Sequence, residues 1–150
     1  GGLTRQETVY KLFRNSTEDM VLVHDVSWPF VALGVFQEVL DKARETGAAS
    51  AVTRTHVPVG CFKDGMIRAY LRKEHCCLSQ TPQAYSHEVL KLSFRKACEE
   101  KIEFQSLGQL VTNAGFVIHP LFVEDPGIKI TYPIDLEIAR KVLMMGEPHS

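Results

Sequence analysis

The 150-residue sequence predicts an α/β sandwich, with helices on both faces of a largely parallel sheet. Three observations carry that expectation. Segments with the apolar period of helices alternate with short strand-like runs. The run MVLV, Met20 to Val23, shows no polar alternation, as suits a parallel strand covered on both sides. No internal repeat or low-complexity tract interrupts the pattern.

Each element has a local reason. Thr4 can cap a first helix whose Val9, Leu12 and Phe13 share one face, and Asn15 to Asp19 ends it. MVLVHD then reads as a buried central strand that delivers His24 and Asp25 at its C-terminal end. VALGVFQEVLDKARETG reads as an amphipathic helix stopped by Gly47. AASAVTRTHVPV is the next strand, and Asp64-Gly65 between VGCFK and MIRAYL marks a hairpin that leaves the sheet as an arm, about residues 57–72. SQTPQ, Ser79 to Gln83, reads as a turn, with Pro82 leading into the helix YSHEVLKLSFRKACEEK. SLGQLVTNAG is a shorter helix, FVIHPLFVE a strand interrupted by Pro120, and GIKITY a last short strand. Pro133 opens the helix PIDLEIARKVLMMG, so residues 1–146 are expected to form one domain and 147–150 a frayed end.

Composition excludes several classes of partner. Lys plus Arg number 17 against 18 Asp plus Glu, a formal net charge of -1, so no basic field argues for a nucleic acid or a membrane surface. No apolar run nears the roughly 20 residues of a membrane span, and GGLTRQETVY lacks the pattern of a secretory signal. Cys61, Cys76, Cys77 and Cys98 have no CxxC spacing, and the adjacent pair is unsuited to an internal bridge. Free thiols and a cytosolic setting are expected. The zinc-protease, P-loop, nucleophile-elbow and dinucleotide signatures are all absent.

The informative polar residues fall at element ends. Ligands of open α/β sheets bind beyond the C-terminal ends of the strands, which is where Asp25 stands, suited to a metal or a sugar hydroxyl. The alternative for Asp25 is a cap of the following turn. His24 is the one histidine that stands out, its plainer reading being a polar group held by backbone bonds. Lys129, inside GIKIT, must reach water or meet an anion. If Lys129 and Lys63 converge near Asp25, the site suits a phosphate with Mg2+, a cation that takes one or two carboxylates and completes its shell from phosphate and water. Phosphoryl or nucleotidyl transfer then rests on positioning and charge neutralisation.

The ordered segments GGLTRQETV, VLVHDVSWPFV, GAASAV, VPVGCFKDG, QTPQAY and GIKITYPIDLEIA resemble the cytidylyltransferases that act on methylerythritol 4-phosphate in bacteria and plants and on ribitol 5-phosphate in animals. The resemblance spans nearly the whole chain. The spacing from DGMIRAYL to TPQAY, with Glu103-Phe104, is similar to the animal branch. It implies a three-layer nucleotidyltransferase (Rossmann-like) fold with a mainly parallel sheet and a β-arm. It also implies transfer of CMP from CTP to a polyol phosphate, D-ribitol 5-phosphate giving CDP-ribitol and pyrophosphate, with Mg2+ and direct attack by the acceptor phosphate. A homodimer through the arm and, for the animal branch, a supply of CDP-ribitol for protein glycosylation follow from the same resemblance. Residue by residue, it places Gly1, Gly2, Arg5 and Thr8 near the cytidine. Asp25 falls between ribose, metal and acceptor, while Lys63, Lys73, Thr81 and Lys129 fall on the acceptor side, with Asp25 and Lys129 closest to the chemistry.

The departures from the family pattern are specific. Trp28 stands where the family carries arginine, Gly60 and Cys61 replace an aspartate and a threonine, Lys73 replaces an arginine, Gly127 an asparagine, and Ser106-Leu107 an acidic pair. The family pattern also begins with a strand and a glycine-rich triphosphate loop ahead of the segment matching Gly1-Gly2. The chain is therefore expected to be the later part of the catalytic domain, inactive alone. The alternative is a non-catalytic relative that binds ligand or dimerises.

Overall fold

In chain order the elements are α1 (Arg5–Phe13), β1 (Met20–Val23), α2 (Leu33–Thr46), β2 (Ala48–Arg54), β3 (Val59–Lys63), β4 (Met66–Leu71), β5 (Cys77–Ser86), α3 (His87–Glu100), α4 (Leu107–Asn113), β6 (His119–Phe122) and α5 (Pro133–Met144). The computed structural model describes residues 2–124 and 127–146. Gly1 and the tail 147–150 lie outside the described residues.

The main sheet has the order β1-β5-β2-β6. β5 runs antiparallel to both β1 and β2, and β6 runs parallel to β2, so three strands share one direction and β5 is reversed between them. Strand period sorts the side chains onto two faces. Val21, Val23, Ala48 and Tyr85 face a cluster built with α1, α3 and α4, in which Phe13, Leu90, Phe94, Leu110 and Val111 are buried. Met20, Leu22, Ala49, Ala51 and Ala84 face α2 through Val39 and Ala43. The result is the three-layer α/β arrangement. Alanines on the α2 side leave space for that helix to lie close, while the large side chains fill the opposite layer.

Local chemistry fixes the helix ends as expected. Thr4 Oγ1 accepts from Glu7 N at 3.1 Å. Gly47 ends α2 at φ 85°, with its N–H donating to Ala43 O, a conformation that only glycine adopts without strain. The hairpin forms too: Asp64 and Gly65 take φ 52° and 76°, as an Asp-Gly turn requires, and β3 and β4 make a separate two-stranded sheet.

Three expectations need correction. β1 is not the central buried strand. It occupies an edge of the described sheet and its four residues are only half-buried, because among the described residues it is paired on one side; the buried strands are β2 and β5. SQTPQ is not a turn but the middle of β5, where Gln80 to Gln83 are buried. Pro82 is tolerated there because Ser50 pairs with Gln83 and Val52 with Ser79, so that Gln80, Thr81 and Pro82 together oppose Ala51 in a bulge with no ladder bond required of the proline. GIKITY forms no strand; its backbone is tied instead to the loop after β1 by Ile130 N donating to Ser27 O at 2.8 Å.

Candidate functional site

The site assembles where β1 stops. Asp25 opens a turn closed by Trp28 N donating to Asp25 O at 3.0 Å, and His24 stands between that turn and the strand. The bulge in β5 brings Thr81 against them: the Asp25 N–H donates to Thr81 Oγ1 at 3.1 Å, and Thr81 Oγ1 lies 3.0 Å from His24 Nδ1. His24 Nε2 is 3.0 Å from the Trp28 carbonyl oxygen, and its ring meets Phe36 of α2 edge-on at 4.8 Å. Bulges re-aim side chains in this way, and here the re-aimed group is a buried hydroxyl.

Arg5, in the first turn of α1, closes the other side. Its Nη2 lies 2.6 Å from Asp25 Oδ1, with both side chains about one-third exposed (35% and 34%). Among the described residues no backbone N–H donates to this carboxylate, so the turn-capping alternative for Asp25 has no support there. Arg5 Nε is buried without a hydrogen-bond partner, an unused donor beside an ion pair. Tyr85, one strand residue pair beyond the bulge, is buried in the core; desolvation pushes its phenol far above the usual range, and its hydroxyl donates to Gln83 Oε1 at 3.0 Å. Gln83 in turn donates to Ser79 Oγ and Gln80 O.

The predicted residues divide into those brought together and those left apart. Asp25 meets both Arg5, through its carboxylate, and Thr81, through its backbone N–H. Lys129 reaches the same loop from the other side, its Nζ 5.9 Å from the centroid of the Trp28 ring, so the residue that replaces the family's arginine supplies a face for a cation. Thr8 is turned inward: it accepts from Gly2 N at 2.8 Å and donates to Thr4 O at 2.9 Å. A Cβ on Gly2 would stand 2.7 Å from Glu7 Cβ, so the close approach that Thr8 enforces requires glycine. Lys63 and Lys73 do not converge on Asp25. Lys63 sits at the tip of the exposed β3–β4 hairpin and Lys73 in a short 3-10 turn beyond it, and no hydrogen bond or ion pair links either to Asp25 among the described residues.

Two features escaped the sequence reading. His24 is the link between the loop and the bulge, and a hidden strand at SQTPQ concealed that role. A pocket of about 160 Å³ opens next to Thr81, walled by Phe30, Val31, Val35 and Val123; the apolar stretch after Pro29 was its only signal.

The donor set bears on a metal. No group of three or more His, Cys, Asp and Glu gathers among the described residues, so an all-protein cage is not on offer. One carboxylate, its Oδ1 on Arg5 and its Oδ2 without a hydrogen bond among the described residues, suits Mg2+ in the manner it prefers, with most ligands from phosphate and water. No helix among the described residues is long and apolar enough to cross a membrane.

Comparison with known proteins gives this geometry its relatives. Residues 1–145 match the family described as IspD, 2-C-methyl-D-erythritol 4-phosphate cytidylyltransferase. The chain is 33% identical over 157 aligned residues to the 2-C-methyl-D-erythritol 4-phosphate cytidylyltransferase of Solibacter usitatus, covering 95% of this chain and 61% of that one. It is 35% identical to that of Thermus thermophilus, covering 93% of this chain and 65% of the relative. The chain thus spans less than two-thirds of the length of these relatives. The crystal structure of the 2-C-methyl-D-erythritol 4-phosphate cytidylyltransferase from Thermus thermophilus superposes with a TM-score of 0.85 at 31% identity, over 96% of this chain and 71% of that one. A 4-diphosphocytidyl-2C-methyl-D-erythritol synthase from Anaerococcus prevotii, 21% identical, shares the fold with a TM-score of 0.86.

Proposed function

Since the chain belongs to the 2-C-methyl-D-erythritol 4-phosphate cytidylyltransferase family, we propose that its Asp25 site serves CMP transfer from CTP to a polyol phosphate, with release of pyrophosphate. The observation that carries this reading is the Arg5–Asp25 pair at 2.6 Å, flanked by Thr81 on one side and by Lys129 over Trp28 on the other. A carboxylate, a hydroxyl and two cations gathered at the loop after β1 are the kinds of group that direct attack of one phosphate on another needs.

In this reading Asp25 holds the reacting groups in register, Arg5 fixes the Asp25 carboxylate, and Lys129 neutralises charge on the acceptor phosphate. Mg2+, held by Asp25 together with phosphate oxygens, supplies charge neutralisation when bound. Gly2 and the start of α1 serve the cytidine in this reading, with Thr8 supporting the Gly2 backbone. Lys63 and Lys73 reach an acceptor phosphate only across a subunit boundary, which fits a homodimer joined through β3 and β4. Phe62, Ile67 and Tyr70 on that hairpin are 74%, 58% and 66% exposed, the apolar surface such a contact needs. A cytosolic setting suits such an enzyme.

The names of the relatives favour methylerythritol 4-phosphate as acceptor. Ribitol 5-phosphate is the second reading, favoured by Glu103-Phe104, whose Phe104 N–H donates to Gln6 Oε1 next to Arg5. Because the chain spans 61% to 65% of these relatives, full turnover is proposed to need the remainder of a relative's length. Calorimetric titration of this chain with each polyol phosphate and Mg2+ tests the acceptor half directly. Binding that weakens roughly tenfold or more in Asp25→Ala and in Lys129→Ala is expected, the loss of charged hydrogen bonds. Equal binding by wild type and both variants would favour a non-catalytic, dimerising relative.

A further inference from the structure

We propose that the groove between α1 and α3 binds a free amphiphilic carboxylate, its head at the Arg14 and Lys91 end and its apolar tail laid along the two helices. The groove holds about 890 Å³, within the roughly 300–1,000 Å³ of small-molecule sites. None of Arg5, Asp25, Thr81 and Lys129 lines it. Contacts at its two ends set its direction. Gln6 of α1 accepts from Phe104 N at 2.8 Å and donates to Ile102 O at 3.5 Å, just beyond the end of α3. Phe13, at the end of α1, lies with its ring centroid 4.5 Å from that of His87, at the start of α3. The two helices are therefore antiparallel walls.

Between those ends the floor is apolar. Phe94 meets Tyr10 at 5.1 Å and Phe13 at 5.5 Å between ring centroids, and Ala97, almost one turn further along α3, contributes only a methyl group. Tyr10 and Ile102 remain 41% and 42% exposed and Leu3 98%, so apolar surface continues from the rings to the far end. From Lys91 to Lys101 the helix rises about 15 Å, room for an extended alkyl chain of medium length.

Charge decides which head such a chain carries. Of the acids on the rim, Glu7 is taken up by Lys11 at 2.7 Å and by Leu3 N, and Glu99 faces Arg95 at 3.9 Å. Among the described residues Arg14, Lys91 and Lys101 have no acidic partner, and Glu103 has no basic one. Lys101 and Glu103 share the far end and offset each other there. Arg14 and Lys91 share the near end, with the Arg14 guanidinium 5.8 Å from the centroid of the Tyr10 ring. Two uncommitted cations at the head of an aromatic floor match a carboxylate with an apolar tail, and they repel a cationic head on the same tail.

The test uses this chain with four probes, each below its micelle concentration: dodecanoate, dodecyltrimethylammonium, dodecyl maltoside and butanoate. Calorimetric titration should find one dodecanoate per chain, bound at least about tenfold more tightly than the cationic tail, the neutral tail or the short acid. Arg14→Glu and Lys91→Glu, both at exposed positions, should each weaken dodecanoate about tenfold, the worth of one charged contact, and leave the urea midpoint unmoved. Cys98 is exposed and lines the groove, so bound dodecanoate should slow its alkylation by iodoacetamide, while Cys61 and Cys77, exposed outside the groove, react as before. Equal binding of the three long tails, an unchanged affinity in both glutamate variants, or undiminished reaction of Cys98 at saturation overturns the proposal. An acidic amphipathic peptide that protects Cys98 where dodecanoate does not overturns it as well, in favour of a partner protein.

Discussion

The end of β1 and the β3–β4 hairpin are built on opposite plans. At the end of β1, polar side chains are half-buried or buried, and Arg5, His24, Asp25 and Thr81 are linked in one chain of contacts that leaves Arg5 Nε without a partner. On the hairpin every residue from Gly60 to Leu71 is exposed, and its large apolar side chains touch little of their own chain. The first region is organised by contacts made within the chain, and the second is exposed along its length. Charge follows the same division: Lys129 joins the built site, while Lys63 and Lys73 travel with the hairpin.

The strongest way to break the comparison is to collapse the layer behind the site. Leu90→Ala removes a fully buried side chain from the cluster that also holds Tyr85 of β5, and should cost about 3 kcal/mol in a urea titration. Ile67→Ala on the hairpin should change the same titration by less than about 0.5 kcal/mol. A comparable cost at both positions would mean that the hairpin packs on the chain after all.

A second test sharpens the hairpin's role. Phe62→Asp places a charge on the exposed face and, if the dimer proposed through β3 and β4 forms, should convert it to a monomer in sedimentation, with the urea midpoint unmoved. A smaller effect is expected at the boundary of the site. Trp28→Ala removes the face beneath Lys129 and should weaken polyol-phosphate binding by about 0.5–1 kcal/mol in a calorimetric titration.

Much of this arrangement was legible in the residues. Thr4, Gly47 and Asp64-Gly65 announced a cap, a stop and a turn, because each acts through bonds within a few positions. The family was legible in six ordered motifs, since their order is information that no single motif holds. β5 was not legible. A proline in SQTPQ argues against an inner strand, and only the pairing with β2 reveals that Thr81 and Pro82 occupy a bulge. The burial of β1 was overstated for a related reason: an apolar run reports what a strand can tolerate, not how many neighbours it pairs with. The backbone bond expected of His24 is present at Trp28 O, while its second partner, Thr81, lies 57 residues away and could not be read from local pattern.

The smallest effect is a pH dependence at the segment that carries Lys129. Asp135 Oδ2 accepts from Thr131 N at 2.9 Å and Tyr132 N at 2.8 Å, and these bonds hold its carboxyl below its ordinary value of 3.8. A depressed carboxyl stabilises the fold above its unfolded value, and that contribution is lost as pH falls through the folded value. The start of α5 should therefore loosen in acid, seen as faster amide exchange at Thr131 and Tyr132. Asp135→Ala should show that faster exchange already at neutral pH.

The central claim, that Asp25 is the centre of a cytidylyl-transfer site, is tested most directly by pyrophosphate release from CTP and Mg2+ with each polyol phosphate. The protein to use is this chain completed with the unmatched residues of the Thermus thermophilus relative, compared with the same protein carrying Asp25→Ala. The account predicts acceptor-dependent release in the first and at least a hundredfold loss, about 2.7 kcal/mol, in the second, with both folded. Acceptor-dependent release that survives Asp25→Ala undiminished would contradict it.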